Sequence, residues 1–257
     1  MLILIAEAKT MEPTEKTVSP EEYAAHTPLL ESGADYLMKQ FAGMSVGEIA
    51  ALAGLTTSLA AKLFRFAYEF PDKTHGYPAI EAYTGVVFKA LDFPTLPEEA
   101  ADLCQSRVRI ISSLYGYLHP CDIVKPYRLD YTSKVPTQEG KEATVTTFWK
   151  KDVSIQLVKE LKNGHHNEVL NLLPSDAAKC IDWKLVKNFC KVWTVEFTDA
   201  LTGKTPQAGK LKQMRGLLLR QLLQENVSDC NSITHLASDS YVCDGTPRYP
   251  DRLHFLC

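Results

Sequence analysis

Residues 108–131, VRIISSLYGYLHPCDIVKPYRLDY, join two kinds of sequence in one short stretch. Val108 to Ile111 is an apolar run interrupted only by Arg109, which reads as a short buried strand. From Ser112 onward come four tyrosines and two prolines with neither a helical nor a strand period. Small hydroxylic residues directly after a strand, followed by amphipathic rings beside Lys125 and Arg128, suit the end of a sheet that meets something flat or anionic. The alternative is a long connection that packs its rings on a core.

Working outward, the same pairing of strand and polar turn recurs. Leu2 to Ala6 is followed by "AKT" at 8–10, and Glu168 to Leu173 by "PSDAAK" at 174–179; Val192 to Phe197 and Leu253 to Leu256 are further strand-like runs. Between them lie helical patterns: Ser19 to Phe41, where Ser19 can cap and Pro20 suits the first helical position, Trp149 to Leu161, and Lys210 to Leu223. The expected class is mixed α/β (α+β), a central mixed sheet with surrounding helices. The spacing is too irregular for a barrel or a regular doubly wound sheet. If the strands share one sheet, their carboxyl ends converge on a crevice, the usual ligand position in open α/β sheets. Serine, threonine and glycine at those ends also serve simply as turn and cap residues.

Composition sets the broader bounds. At 257 residues, 45% hydrophobic and 23% charged, the chain can bury a self-sufficient core. "MLILIAEAKT" turns polar after five apolar residues and lacks a basic flank, so neither a signal peptide nor a membrane span is expected, and a cytoplasmic location is. Seven cysteines without a CxxC pair argue against a disulfide framework and a zinc ribbon. No metal site or cofactor is expected. The net charge of −3 conceals a basic stretch, since residues 200–224 beyond Asp199 carry Lys204, Lys210, Lys212, Arg215 and Arg220 and no acid.

Residues 45–70 read as two short helices. Ser45 with Glu48 forms a capping box, Gly54 ends the first helix, and Thr57 or Ser58 can cap the second. As a helix-turn-helix, the groove would face Thr57, Ser58, Ala61 and Lys62, a set without the Arg, Asn or Gln that usually reads base edges. As a helix-hairpin-helix, Gly54, Leu55 and Ala60 match while Thr56 stands where a second glycine is usual, and the turn amides would hold a backbone phosphate. A plain helical corner of the core fits the same residues.

"AKT", "YTG" at Tyr83 to Gly85, "ISSLYGYLHPCDIVKPYRLDY", "KQMRG" at Lys212 to Gly216 and the closing "SYVCDGTPRYPDRLHFL" together resemble the YaaA family of bacterial peroxide-stress proteins. The resemblance spans residues 1–257 and implies a single α/β domain with its own fold, a positively charged cleft, a helix-hairpin-helix element and DNA binding under oxidative stress. The chain departs from the family pattern in places. Ala6 and Glu7 replace a Ser-Pro, Ser113 a glycine and His119 an arginine, and "LLPSDAAK" replaces the usual third strand end while leaving Lys179.

The resemblance and the residues lead to one expectation: a basic cleft that binds DNA through its phosphates, largely without sequence specificity. Lys9 and Thr10 would form its floor. Tyr115, Lys125, Tyr127 and Arg128 would form a lip whose rings meet bases or sugars, with Lys62 and Lys179 nearby and Lys212, Arg215 and Arg220 on the opposite wall. Two other readings stay open: an enzyme acting on a nucleotide or other small anionic ligand in the same cleft, with Asp122 and Asp130 as acid or base candidates, and an iron-handling stress protein.

Overall fold

A computed structural model describes residues 1–11, 16–244 and 251–257, so residues 245–250 of the closing motif lie outside the described ones. The five apolar runs all form strands of one sheet. These are β1 (Leu2–Ala6), β2 (Val108–Ser112), β4 (Glu168–Asn171), β5 (Lys191–Thr198) and β8 (Arg252–Leu256). Three short strands complete it: β3 (Gly116–Leu118), β6 (Ala237–Ser238) and β7 (Tyr241–Cys243). The order is β6-β7-β8-β5-β4-β1-β2-β3.

β1 pairs in parallel with β2 on one side, Ile3 opposite Val108, and with β4 on the other, Leu2 opposite Val169. β5 continues in parallel from β4, and β8 from β5. The flanking strands β3, β6 and β7 are antiparallel to their neighbours, which makes the sheet mixed. Every residue of β1 is buried, as expected for a parallel strand covered on both faces.

The sequence reading set aside a regular doubly wound sheet; the spacing is irregular as read, yet the strand order is a doubly wound one. The five parallel strands, counted along the chain, stand in the order second, first, third, fourth, fifth, which is one of the two common doubly wound orders. The spacing hid it because one hundred and one residues separate β1 from β2, and the described ones carry seven α-helices where a regular crossover carries one. Among these are α1 (Pro20–Ala25), α2 (Glu31–Ala42), α3 (Val46–Ala53), α4 (Thr57–Glu69), α5 (Val86–Leu91) and α6 (Glu98–Arg107).

The helix expected over Ser19 to Phe41 is therefore two. Ser19 caps α1 as read, its Oγ accepting from the Glu22 amide at 3.1 Å. The chain then breaks at 26–30, where Pro28 has no amide to donate. The other two helical patterns are α7 (Val145–Asn163) and α9 (Ala208–Gln224), with a single-turn α8 (Ser175–Ala178) after β4.

α3 and α4 are the two short helices expected, joined by a tight turn that contains Gly54. The capping box is present, the Ser45 amide donating to Glu48 Oε2 at 2.7 Å, and Gly54 closes α3 in the left-handed region at φ 65°. The cap of α4 is Thr56, one residue earlier than read, its Oγ1 accepting from the Leu59 amide. The axes bend by 111° between the two helices. Ile49, Ala53, Ala60, Leu63 and Ala67 are buried on the inner side, while Thr57, Ser58, Ala61 and Lys62 face solvent. No single helix among the described residues is long and apolar enough to cross a membrane.

Candidate functional site

Because β1, β2 and β4 run parallel, the polar turns that follow them leave the sheet at one edge. Glu7 extends β1 by one step, its amide donating to the Ile111 carbonyl at 3.0 Å, before Ala8, Lys9 and Thr10 turn away. The Thr84 amide donates to the Thr10 carbonyl at 3.0 Å, and Met11 bridges Tyr83. "AKT" and "YTG" are thus laced together. Two glycines make the approach possible. A Cβ at Gly85 would lie 2.5 Å from that of Ala8, and a Cβ at Gly216 would overlap the Val87 carbonyl oxygen, where α9 presses on α5. That contact brings Lys212 and Arg215, on the turn of α9 before Gly216, to the same edge.

The tyrosine-rich stretch corrects the expectation of an open lip. Tyr115 is 1% exposed and Tyr127 6%, and Tyr117 and Tyr131 are buried as well. Their hydroxyls explain why. Tyr127 Oη sits between Tyr83 Oη at 2.7 Å and Ser112 Oγ at 2.8 Å, and donates to Glu7 Oε2, which also accepts the Ser113 amide at 2.8 Å. Tyr131 donates to the Ile111 carbonyl at 2.7 Å, and Tyr115 Oη accepts from the Lys125 amide at 3.0 Å. The rings therefore bolt the loop onto the end of the sheet, each satisfying its polar tip as a buried tyrosine must.

Two cavities open at this edge, one on each side of Lys9 and Thr10. The first, of about 470 Å³, lies between α4 and the Pro126–Tyr127–Arg128 segment. Lys9, Lys62, Arg65 and Arg128 line it with Leu59 and Phe66, and among the described residues no carboxylate does. Arg128 Nη1 is buried there without a hydrogen-bond partner. The second, of about 450 Å³, lies over the ends of β1 and β4. Glu7, Lys9 and Asp130 face it from one side and Lys212 and Arg215 from α9, with Asp176 near its rim.

The charges of the second cavity are mostly paired. Lys9 forms an ion pair with Asp130, and Asp176 one with Lys179 at 3.2 Å. Burial pushes the Glu7 carboxyl up to about 7, against the hydrogen bonds from Ser113 and Tyr127 that favour its charge. Burial also lowers the affinity of Arg215 for its proton.

Of the eleven residues expected in the cleft, Lys9, Thr10, Lys62, Tyr127, Arg128, Lys212 and Arg215 line one cavity or the other. The other four do not. Tyr115 is in the core. Lys125, 4% exposed, donates its Nζ to the carbonyls of Glu69 and Asp72 at 2.6 and 2.7 Å, closing the end of α4. Arg220 does the same for α5 through the carbonyls of Leu91 and Asp92 at 2.8 and 2.9 Å. Lys179 stands outside with Asp176. Asp122 is likewise structural, its carboxylate accepting the His119 amide at 2.8 Å.

The sequence reading missed Arg65 and the part played by Glu7. Arg65 lies three residues beyond Lys62, so helical spacing alone could have placed it on the same side of α4. Glu7 was noted only as a departure from a family pattern.

A family model described as peroxide stress protein YaaA matches residues 1–246. A UPF0246 protein of Parabacteroides distasonis is 31% identical over 231 residues, 89% of either chain. Another, of Desulforapulum autotrophicum, is 31% identical over 262 residues, covering 100% of this chain and 99% of its own. A UPF0246 protein of Legionella pneumophila strain Corby is 28% identical over 261 residues.

Proposed function

This chain belongs to the peroxide stress protein YaaA family, and on that footing we propose that it binds DNA through phosphate contacts in the first cavity, without reading base sequence. The observation that carries this is three cationic side chains, Lys62, Arg65 and Arg128, gathered on one concavity without a described carboxylate among them, beside Lys9, whose charge Asp130 already answers. Such a surface attracts a polyanion and releases its counterions. Phe66 and Leu59 offer the apolar contact that sugars and unstacked bases use. The outward face of α4 carries Thr57, Ser58, Ala61 and Lys62, so phosphates rather than base edges are its natural partners.

The thiols support protection of DNA over consumption of peroxide. Burial pushes Cys104 and Cys180 up to about 12 and Cys190 to about 11, and raises Cys121, Cys230 and Cys257 as well. Peroxide reacts with thiolates, and these groups hold their protons at neutral pH. Among the described residues no three His, Cys, Asp or Glu side chains gather as a metal site would require, so the iron-handling reading finds no site among them.

The test is duplex binding by fluorescence anisotropy across a salt series. Three phosphate contacts predict that log K falls with log salt at a slope of about −2.7. Reversing two charges, Lys62→Glu with Arg65→Glu, should lower affinity at least about tenfold for every duplex and flatten the slope by about two contacts. Both side chains are exposed, so the melting temperature should stay put. Full affinity in the folded double variant would move the site elsewhere.

A further inference from the structure

The geometry points to a second binding site distinct from the DNA surface: we propose that the cavity over β1 and β4 takes a phosphorylated small molecule with a flat, largely apolar body, the chemical class of a mononucleotide. The proposal does not rest on the DNA reading.

Position is the first argument. From β1 the chain crosses to β2 on one side of the sheet and later places β4 on the other, so the turns after β1 and β4 diverge. In open parallel sheets this divergence leaves a crevice at the carboxyl ends, where nucleotides and their relatives bind. The cavity lies there, lined by Ala6 and Glu7 after β1 and by Leu172 and Pro174 after β4.

Charge is the second. Pairing removes Lys9 with Asp130 and Asp176 with Lys179, which leaves Lys212 and Arg215 on one wall. Arg215 is half-buried and makes no hydrogen bond or ion pair among the described residues. A desolvated guanidinium with its fork unused is costly in the empty protein, and a phosphate satisfies it in the bidentate manner that arginine favours. Two cations match a phosphate dianion. Glu7 across the cavity, held up near neutrality by burial, can present either a hydrogen-bond donor or an acceptor to the far end of the ligand.

Shape is the third. About 450 Å³ is within the range of small-molecule sites, and Ala8, Val87, Leu172 and Tyr131 give it apolar sides. Gly85 lies against Ala8 with no room for a side chain, which holds these two segments of the wall together. Duplex DNA suits the place poorly, since with Lys9 and Lys179 paired only Lys212 and Arg215 remain to meet a run of phosphates.

The experiment is isothermal titration calorimetry of the full chain with AMP, GMP, CMP and UMP, and with adenosine and inorganic phosphate as partial ligands. At least one mononucleotide should bind saturably at one site per chain, and adenosine and phosphate alone at least about tenfold more weakly, because each supplies only one half of the contacts. Arg215→Ala should weaken the mononucleotide about tenfold or more, and Lys212→Glu, at a solvent-exposed position where folding is not at stake, by about fivefold or more. Saturating mononucleotide should leave duplex affinity within about twofold. No saturable binding by any of the four, tight binding of phosphate alone, indifference to both variants, or displacement of DNA by the mononucleotide would each overturn the proposal.

Discussion

The two cavities share Lys9 and Thr10 and are nearly equal in size, yet they are built for different partners. The one beside α4 is lined by four cations and no described acid. The one over β1 and β4 also has three cations, but three carboxylates face them and two of those are already engaged in ion pairs. Counting lysines and arginines makes them one basic cleft; following which charge is answered by which separates them. Paired charge contributes little attraction at long range, whereas an unanswered group in a partly desolvated place attracts a specific small anion strongly.

The comparison breaks most severely at Gly216. A valine there would drive its side chain into the Val87 carbonyl, and backbone cannot move aside as a flexible side chain can. We expect Gly216→Val to cost about 3 kcal/mol or more, a fall of roughly 6–12 °C in melting temperature, and to spoil the cavity beside α9. Below its melting point the variant should still bind duplex DNA, because α4 and the Pro126–Tyr127–Arg128 segment lie elsewhere.

Tyr127→Phe comes next. It removes the hydroxyl that ties Tyr83, Ser112 and Glu7 together beneath both cavities, at an expected cost of about 2 kcal/mol by denaturant unfolding. An unchanged midpoint would mean that the hub is not holding the loop.

Glu7 separates the cavities by pH. Its carboxyl is raised from 4.5 to about 7, so the native state binds the proton more tightly than the unfolded chain does. Its contribution is therefore complete below about pH 4.5 and is lost as pH rises through 7. Glu7→Gln should leave stability at pH 4.5 nearly unchanged and raise it at pH 8 by at most about 2 kcal/mol, solvent at the cavity mouth reducing the figure. Thermal melts at the two pH values decide it.

The smallest effect belongs to His119, which lines neither cavity. Burial opposes its charge, but hydrogen bonds to Asp122 and Glu160 outweigh burial and raise it to about 8. Glu160 in turn is held down to about 2, its burial outweighed by His119 and Arg109. The stability His119 contributes is full below about pH 6.5 and fades as pH rises through 8. His119→Asn should remove about 1 kcal/mol at pH 6 and almost none at pH 9, with duplex affinity untouched at either.

The legible parts of the fold were those whose signal is local. β1 and β2, buried throughout, and the buried centres of β4 and β8 read as apolar runs, β5 as an alternating one, and the turns after β1, β2 and β4 as small and hydroxylic residues. The two- and three-residue strands β6 and β7 are too short to have a period. Lys9, Lys212 and Arg215 were found because they stand in motifs beside glycines that demand close packing. Tyr115, Lys125 and Arg220 were misplaced because their partners are distant in sequence. Lys125 reaches carbonyls more than fifty residues away, and Arg220 more than a hundred and twenty. A cation that closes a helix end looks no different in sequence from one that waits for a phosphate.

The position of β8 has a consequence during synthesis. It lies inside the sheet, between β5 and β7, although it is the last strand along the chain. Until residues 252–256 have cleared the ribosome, β5 presents an unpaired edge from Thr194 to Thr198, with Val195 and Phe197 in it, and no β7 can dock. β1, made first, likewise waits more than one hundred residues for β2 and more than one hundred and sixty for β4. β1, β2, β4 and β5 can pair before β8 is made, so the edge of β5 is the part of the sheet completed late and left sticky longest.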